Sequence, residues 1–403
     1  MKKLVFNLLL LILSLYFPIF LFDMGLQIYS LSTRKDNSDP RTKFEIVTEL
    51  RKTTRNVYPA FGPFYFAKHP EDAKRSTLIP LSGVSNSTIV YSKEGGEWLI
   101  FQSDQFGFNN NGKNWDNYVR NGCNIVLIGD SFTQGGCAPS GRIFADLIRA
   151  KYPKTINLGT SSTGPIIQKG IFNEYAIAIR PKNIFWCYYE GNDLNNIERE
   201  KSWDAINKYL LPTYKQGLMR KQNEIDRFLV DIIERNISLL TKNKSKGPKY
   251  GPYYLSLRTF NVIHGLGLKH FRSFLNDRLK TDILFLPYLK KNVEVDHTEN
   301  IRIFRNIIAD VKNASSKWGG QIAFVYLPSH DSIYRRKELH REQVLSFVRE
   351  LGLPIIDLYE PFVRHENPKV LFNIPWGKHF SPEGHRVVAE HLCIYLKGKM
   401  EGS

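Results

Sequence analysis

The chain has 403 residues, of which 56 are Lys or Arg and 39 are Asp or Glu, giving a formal net charge of +17. At roughly 150 residues per domain that length implies two to three domains, with no shortage of core. Hydrophobic content of 42% and charged content of 24% are ordinary globular values, which excludes wholesale disorder, collagen and coiled coil. The basic balance favours polyanionic neighbours such as nucleic acid, anionic lipid or acidic polysaccharide; the alternative is a lysine- and asparagine-rich composition with no partner behind it. Four cysteines, Cys123, Cys137, Cys187 and Cys393, form no CxxC pair, so a zinc ribbon or thioredoxin-type site is not expected.

At the N-terminus Lys2 and Lys3 precede the apolar run Leu4 to Phe22, which is interrupted only by Asn7, Ser14 and Pro18 and closed by Asp23. As a helix this run spans about 28 Å, close to the roughly 30 Å of a bilayer's hydrocarbon. No small-x-small cleavage site follows, so residues 1–30 predict a signal anchor, a single transmembrane helix; the alternative is a cleaved signal peptide. Lys2 and Lys3 place that end inside, at the cytoplasmic membrane, with the remaining chain facing the periplasm or cell exterior. Arg34, Lys35, Arg41 and Lys43 weaken the asymmetry. With the bulk of the chain outside, nucleic acid is not an expected partner.

Residues 31–120 predict a stalk and a β-rich lead-in subdomain. The stretch 31–60 is polar and basic, and 61–120 carries short β-like runs, FGPFYFA, STIVYS and EWLIFQSDQFGF, with a loop at NNNGKNW. From residue 121 the pattern changes. Asn124 to Ile128 is an unbroken apolar run, as a strand buried on both faces reads. A helix at 143–153, a strand at 155–159, a helix through QKGIFNEYAIAI and a strand at 183–193 follow. Further strands are expected at 321–327 and 354–359, and a last helix over 382–397, opened by Ser381-Pro382 with Glu383 in its first turn. Strand–helix alternation with apolar strands means an α/β domain with a parallel sheet, here over 121–403.

The sheet does not need residues 196–300, which predict a helical insertion with DRFLVDIIERNISLLTK and KHFRSFLNDRLK as its helices. Residues 241–280 hold nine Lys or Arg against one acid, Asp277, interleaved with Tyr250, Tyr253, Tyr254, Phe260, Phe271 and Phe274. Aromatics beside cations suit sugar rings carrying carboxylates, or a membrane surface. A solvated helical face with its aromatics turned inward is the alternative.

The chemistry concentrates at strand ends. Gly129-Asp130-Ser131-Phe132-Thr133-Gln134-Gly135 puts Ser131 directly after a buried parallel strand, where open α/β sheets bind ligands. The flanks are not those of a G-x-S-x-G elbow, and no Gly-Lys-Ser/Thr follows to make a P-loop. Serine hydrolysis needs a base and preorganised oxyanion donors. The third strand ends in Glu190-Gly191-Asn192-Asp193, offering the Asn192 amide. The second ends in a small-residue loop, Asn157 to Gly164, whose backbone N–H groups can face the same crevice. Gly377-Lys378-His379-Phe380-Ser381-Pro382-Glu383-Gly384-His385 puts a histidine just before the last helix. Together these make a site for a serine, a base and donors.

This order of elements resembles the SGNH, or GDSL-type, hydrolase superfamily over about residues 121–195 and 320–397. GDSFTQG resembles its first block, EGND its third and HFSPEGH its fifth. The resemblance implies a flavodoxin-like three-layer α/β/α sandwich, with Ser131 as nucleophile, His379 as base, and Ser131, Ser162, Gly164 and Asn192 around the oxyanion. It implies hydrolysis or transfer of acyl groups and no cofactor or metal. With the anchor and a lead-in like SDxFGF (Ser103 to Phe108), the chain is similar to polysaccharide O-acetyl-handling proteins. The family's second-block glycine falls at Ser162, where a backbone N–H still serves. Its usual Asp three residues before the histidine falls at Trp376, which cannot accept the His379 Nδ1–H. A backbone carbonyl, Asp357, Asp331 or Glu383 would then have to orient the ring.

Other residues carry weaker signals. His385 reads as a packing or helix-surface residue, His330-Asp331 as a loop, and Cys137 as a spectator thiol. His264 and His270 lack metal-ligating companions. Trp186, Tyr188 and Tyr189 read as strand core, with Tyr189 able to border the cleft, while Asp130 and Asp193 fix turns. The expectation is a serine acyl-ester enzyme acting on an acylated carbohydrate. If it is a transferase, a membrane protein that delivers acetyl groups is the implied partner. The rival is a catalytically degenerate binding or assembly protein for an anionic surface polymer.

Overall fold

The computed structural model describes residues 7, 14, 16–25, 39, 41–94, 96–112, 115–244, 297–335, 340–373 and 378–401. The chain divides into two compact units, Met1–Ser38 with Ser238–Val295, and Asp39–Ile237 with Asp296–Ser403. In the first, a helical run over 16–25 and the last turns of a helix at Gln222–Lys244 are described. Among the described residues no helix is long and apolar enough to cross a membrane. Most of the anchor expected over 1–30, most of the basic stretch 241–280 and the helix expected at KHFRSFLNDRLK lie outside the described residues.

The second unit holds the parallel sheet. Its strands are β4 (Ile125–Gly129), β5 (Thr155–Asn157), β6 (Asn183–Tyr189), β7 (Gln321–Leu327) and β8 (Ile355–Asp357), numbered after three strands of the lead-in. They lie in the order β5-β4-β6-β7-β8 and every pairing is parallel. Counted within this sheet the order is 2-1-3-4-5, the flavodoxin-like arrangement. Successive side chains of a strand face opposite sides, and every residue of β4 is buried, so both faces of the sheet are covered. Helices Phe144–Lys151 and Pro382–Glu401 pack together as one group; Pro165–Ile171, Asp193–Lys201 and Thr298–Ser316 form another. In an order of this kind the switch point lies between the first and third strands, here β4 and β6, at their carboxyl ends.

The lead-in builds a second, three-stranded sheet: β1 (Val57–Pro59) parallel to β2 (Thr88–Lys93), and β2 antiparallel to β3 (Trp98–Gln102). Two of its segments differ from expectation. Within the stretch read as a stalk, Lys43–Leu50 is a helix that buries Ile46 and Val47 against Val57 and Val90. FGPFYFA, read as β-like, becomes the helix Phe64–Lys68. Its aromatics are spaced for a helix: the Phe61 and Tyr65 rings, four residues apart, lie 4.5 Å from each other, and Phe66 stacks on Phe228.

Candidate active site

Ser131 begins the short helix Ser131–Gln134 directly after β4, and Asp130 caps that helix by accepting the Phe132 N–H at 2.9 Å. The helix must stop at once. Gly135 ends it at φ 104°, a left-handed conformation that glycine adopts without strain, and the N–H groups of Gly135 and Gly136 both return to the Ser131 carbonyl, at 3.1 and 2.9 Å. Ser131 is thereby presented at the strand's carboxyl end with its side chain turned toward His379.

The imidazole beside it comes from the other end of the chain. His379 Nε2 lies 2.8 Å from Ser131 Oγ. Its loop is pinned by a Phe372–Phe380 bridge and by the Asn373 N–H donating to the His379 carbonyl at 3.0 Å. The ring is flanked by Phe132, with centroids 4.7 Å apart, and Phe132 in turn stacks on Tyr189 at 3.7 Å. Ser381 receives the N–H groups of Glu383 and Gly384, both at 3.2 Å, which starts the last helix as its sequence implies.

The group that orients His379 is one the sequence reading did not name. Glu94 Oε2 lies 2.7 Å from His379 Nδ1. Glu94 follows β2, in the turn that leads to β3, so the carboxylate is contributed by the lead-in sheet. The acids offered earlier are engaged elsewhere. Asp357 pairs with Arg341, Asp331 with Lys378 at 2.8 Å and His330 at 3.0 Å, and Glu383 with Arg386 and with His365 at 3.2 Å. Trp376 lies outside the described residues. Burial disfavours a charged His379, but the hydrogen bond and charge of Glu94, and then the charge of Asp130, outweigh it and raise its pKa above the ordinary 6.5. Asp130 itself is pushed up to about 6 by burial, against the Phe132 N–H, the charge of His379 and the Asn192 side chain.

The donor residues fall at the ends of β5 and β6, the two neighbours of β4. Asn192 follows β6, and its Oδ1 accepts from Asn196 Nδ2 at 3.2 Å, which fixes the orientation of the amide. Ser162 is exposed and takes φ 61°, the left-handed region that favours the glycine of the family pattern. Gly164 does not serve as expected. Its N–H is spent on the buried carboxylate of Glu200, which also collects the Ile166 N–H at 2.9 Å. Of the donors expected from the sequence, Gly164 is thus engaged by Glu200.

A second layer of hydrogen bonds joins the lead-in to the nucleophile. Asp104 Oδ1 accepts the N–H groups of Phe106 and Phe108 at 2.9 and 3.0 Å, and its Oδ2 accepts Asn110 Nδ2 at 2.7 Å and Trp115 Nε1 at 2.8 Å. Asn110 pairs with the backbone of Asn157, accepting its N–H at 2.8 Å and donating to its carbonyl at 2.9 Å. Asn157 Nδ2 then donates to the Thr133 carbonyl, inside the nucleophile's helix, at 2.8 Å. Gly159 allows the approach: a Cβ there would stand 2.3 Å from the Gln134 nitrogen. Asn109 Nδ2 and the Gln134 carbonyl add a parallel link at 2.9 Å. On the far side, Tyr91 of β2 is hydrogen-bonded to Ser161, whose N–H donates to Gln134 Oε1 at 2.8 Å.

The remaining residues find places of their own. His385 is buried between the Gly136 carbonyl, 3.2 Å from Nε2, and the Phe144 N–H, 3.3 Å from Nδ1, and burial pushes its pKa down to about 4. Asp193 accepts the Tyr189 N–H at 2.9 Å, and Trp186 and Tyr188 are fully buried. All four cysteines are buried and none is in a disulfide. Cys137 is more than a neighbour in sequence: its thiol donates to Glu94 Oε2, the same oxygen that faces His379. Glu94, Cys137 and His379 thus form a group whose ligating atoms lie within 4.8 Å of one another; His69, Glu71 and Asp72 form another on the lead-in.

No protein-family model matches the chain, and no curated protein matches it. Among solved structures it is similar to a lipase/acylhydrolase from Enterococcus faecalis, with 13% identity and a TM-score of 0.35 over 69% of this chain and 96% of that one. An acetylxylan esterase from Geobacillus stearothermophilus gives 13% identity and a TM-score of 0.33 over 67% and 93%. A two-domain esterase active on acetylated mannans gives 12% and 0.33 over 70% of this chain and 51% of that one.

Proposed function

We propose that this protein is a serine-dependent acyl-ester enzyme, a hydrolase or O-acetyltransferase acting on an acylated carbohydrate outside the cytoplasm. One observation carries the reading: the hydrogen-bonded line from Ser131 Oγ through His379 to Glu94, at 2.8 and 2.7 Å. A hydroxyl, an imidazole and a carboxylate in that order form a nucleophile, a base and the group that fixes the base's tautomer. With Glu94 accepting Nδ1–H, Nε2 keeps its lone pair toward Ser131.

In the forward step Ser131 Oγ attacks the ester carbonyl carbon and its proton passes to His379 Nε2, while Glu94 stabilises the imidazolium. The oxyanion meets the Ser131 N–H, one of the donors left unpaired at a helix start, together with the Ser162 N–H and the Asn192 amide. His379 then gives its Nε2 proton to the leaving sugar oxygen. The acyl-enzyme is released to water in a hydrolase, or to an acceptor hydroxyl in a transferase, with His379 again as base. The carbohydrate assignment rests on the sequence: the apolar 1–30 segment that would hold the domain outside, and the cations interleaved with aromatics over 241–280.

The test is fluorophosphonate labelling of the full-length protein in detergent, with hydrolysis of p-nitrophenyl acetate alongside. Labelling of the wild type, absent in Ser131→Ala and lowered at least a hundredfold in His379→Ala, is the expected result. An unlabelled wild type of native circular dichroism would refute the enzymatic reading. Acetate released to water, against acetyl carried to an added oligosaccharide, separates hydrolase from transferase.

A further inference from the structure

Three groups that ligate metals stand together on the side of His379 away from the serine. His379 Nδ1, Glu94 Oε2 and Cys137 Sγ lie within 4.8 Å of one another, and Glu94 Oε2 is hydrogen-bonded to both of the others. An imidazole, a carboxylate and a thiol are three of the ligand types that Zn2+ takes, at about 2.0–2.3 Å. Ligands at those distances in a tetrahedron sit about 3.3–3.8 Å apart, so Glu94 Oε2 must draw back from both of its partners for the three groups to close on an ion. Cys137 is 4% exposed, while the Glu94 and His379 side chains are 22% and 24% exposed, so an ion would enter from the side of those two. The other ligand-like group is already neutralised: Asp72 is paired with Arg75 and Arg235 and receives the Tyr65 hydroxyl.

We infer that Glu94, Cys137 and His379 form a site for a thiophilic divalent cation, Zn2+ by preference, and that filling it switches Ser131 off. The second half rests on the catalytic reading above; the first does not. The proton count makes the switch. Without metal, His379 carries its proton on Nδ1 and its lone pair faces Ser131. A metal on Nδ1 takes that nitrogen's lone pair, so the ring proton must sit on Nε2. Cys137 gives up its S–H proton to solvent, taking the three side chains from one negative charge to two, and the ion's two positive charges balance them. No electron moves. An Nε2–H donates to Ser131 Oγ but cannot take its proton, so the serine loses its base while the site stays intact. Removal of the metal restores the working tautomer, which makes the block reversible by a chelator.

Co2+ and Zn2+ added singly to the full-length, chelator-washed protein test both halves. One equivalent of Co2+ is expected to give a thiolate-to-cobalt charge-transfer band in the near ultraviolet. The band should be missing in Cys137→Ser and Cys137→Ala but present in Cys393→Ser. Zn2+ is expected to slow fluorophosphonate labelling of the wild type at least tenfold, with full recovery in EDTA. Each Cys137 variant that labels without metal should keep that rate when Zn2+ is added. No band in the wild type, or a band that survives both Cys137 substitutions, overturns the site. A band with unchanged labelling overturns the switch. A band in a protein that never labels supports the site and sinks the catalytic reading instead.

Discussion

The parallel sheet and the lead-in contribute to one site in unlike ways. The sheet supplies Ser131 and His379 from loops at the carboxyl end of its strands, where doubly wound sheets generally do chemistry. The lead-in supplies the carboxylate on His379 and the buried hydrogen bonds that reach the nucleophile's helix through Asn110 and Asn157. A domain without its lead-in would keep the Ser131–His379 hydrogen bond and lose the carboxylate on His379 Nδ1. The acid of a triad is defined by the nitrogen it touches, and it can come from an element far from the base in sequence.

The strongest way to break this division is Glu94→Gln. The amide keeps the shape and removes the charge, and loss of the triad acid costs about 10⁴ in rate where the remaining groups hold position. The expected fall in kcat/KM is about 10²–10⁴, with labelling of Ser131 slowed in parallel. The pH profile gives a second, independent reading. His379 works as a base only when neutral, and its pKa stands above 6.5 because Glu94 more than offsets burial. Wild-type kcat/KM, measured in chelator, should therefore fall on the acid side of a midpoint above 6.5. In Glu94→Gln burial acts against Asp130 alone, so the midpoint should move to lower pH. A midpoint that stays put would mean another carboxylate holds the ring.

How legible this was differed residue by residue. Ser131 and His379 stand beside local patterns, an apolar run ending in Gly-Asp-Ser and a Ser-Pro helix start, and each pattern says where its loop lies on the sheet. Glu94 has no such pattern. It lies between the two strands β2 and β3, its hydrogen bond to His379 spans 285 residues, and nothing nearby in the sequence separates it from Glu97. Trp376 at the usual acid position left open which group orients His379; the structure puts Glu94 Oε2 on its Nδ1. Gly164 failed for a related reason: its N–H looks available until Glu200, 36 residues on, is folded against it. The positions of strands and loops follow from local periodicity, whereas ownership of a buried hydrogen bond is a tertiary fact.

A milder break separates stability from chemistry. At neutral pH Asp104, whose pKa burial raises to about 6 against the donors of Asn110, Phe106, Phe108 and Trp115, is ionised and accepts from all four. Asp104→Asn turns an N–H₂ toward groups that are themselves donors. The expected loss is about 1–3 kcal/mol, read as a lower midpoint in urea at pH 7.5. If the lead-in network only holds the fold, kcat/KM of the folded variant should match the wild type. If it also seats the nucleophile's helix, kcat should fall several-fold with KM unchanged.

The smallest effect is expected at Ser162, and it tests the sheet's side of the division. This residue stands at φ 61°, where a side chain costs about 1 kcal/mol that glycine does not pay. Glycine also loses more backbone entropy on folding, so Ser162→Gly should change stability by less than about 1 kcal/mol in either direction. The proposed oxyanion contact would use the backbone N–H, which the substitution leaves in place, so kcat should stay within about fivefold, the factor that corresponds to about 1 kcal/mol. A drop of a hundredfold would show that the Ser162 hydroxyl itself takes part in the chemistry. Ser162→Pro gives the contrast, because it removes the N–H and cannot hold a positive φ, so it should cost kcat far more than Ser162→Gly does.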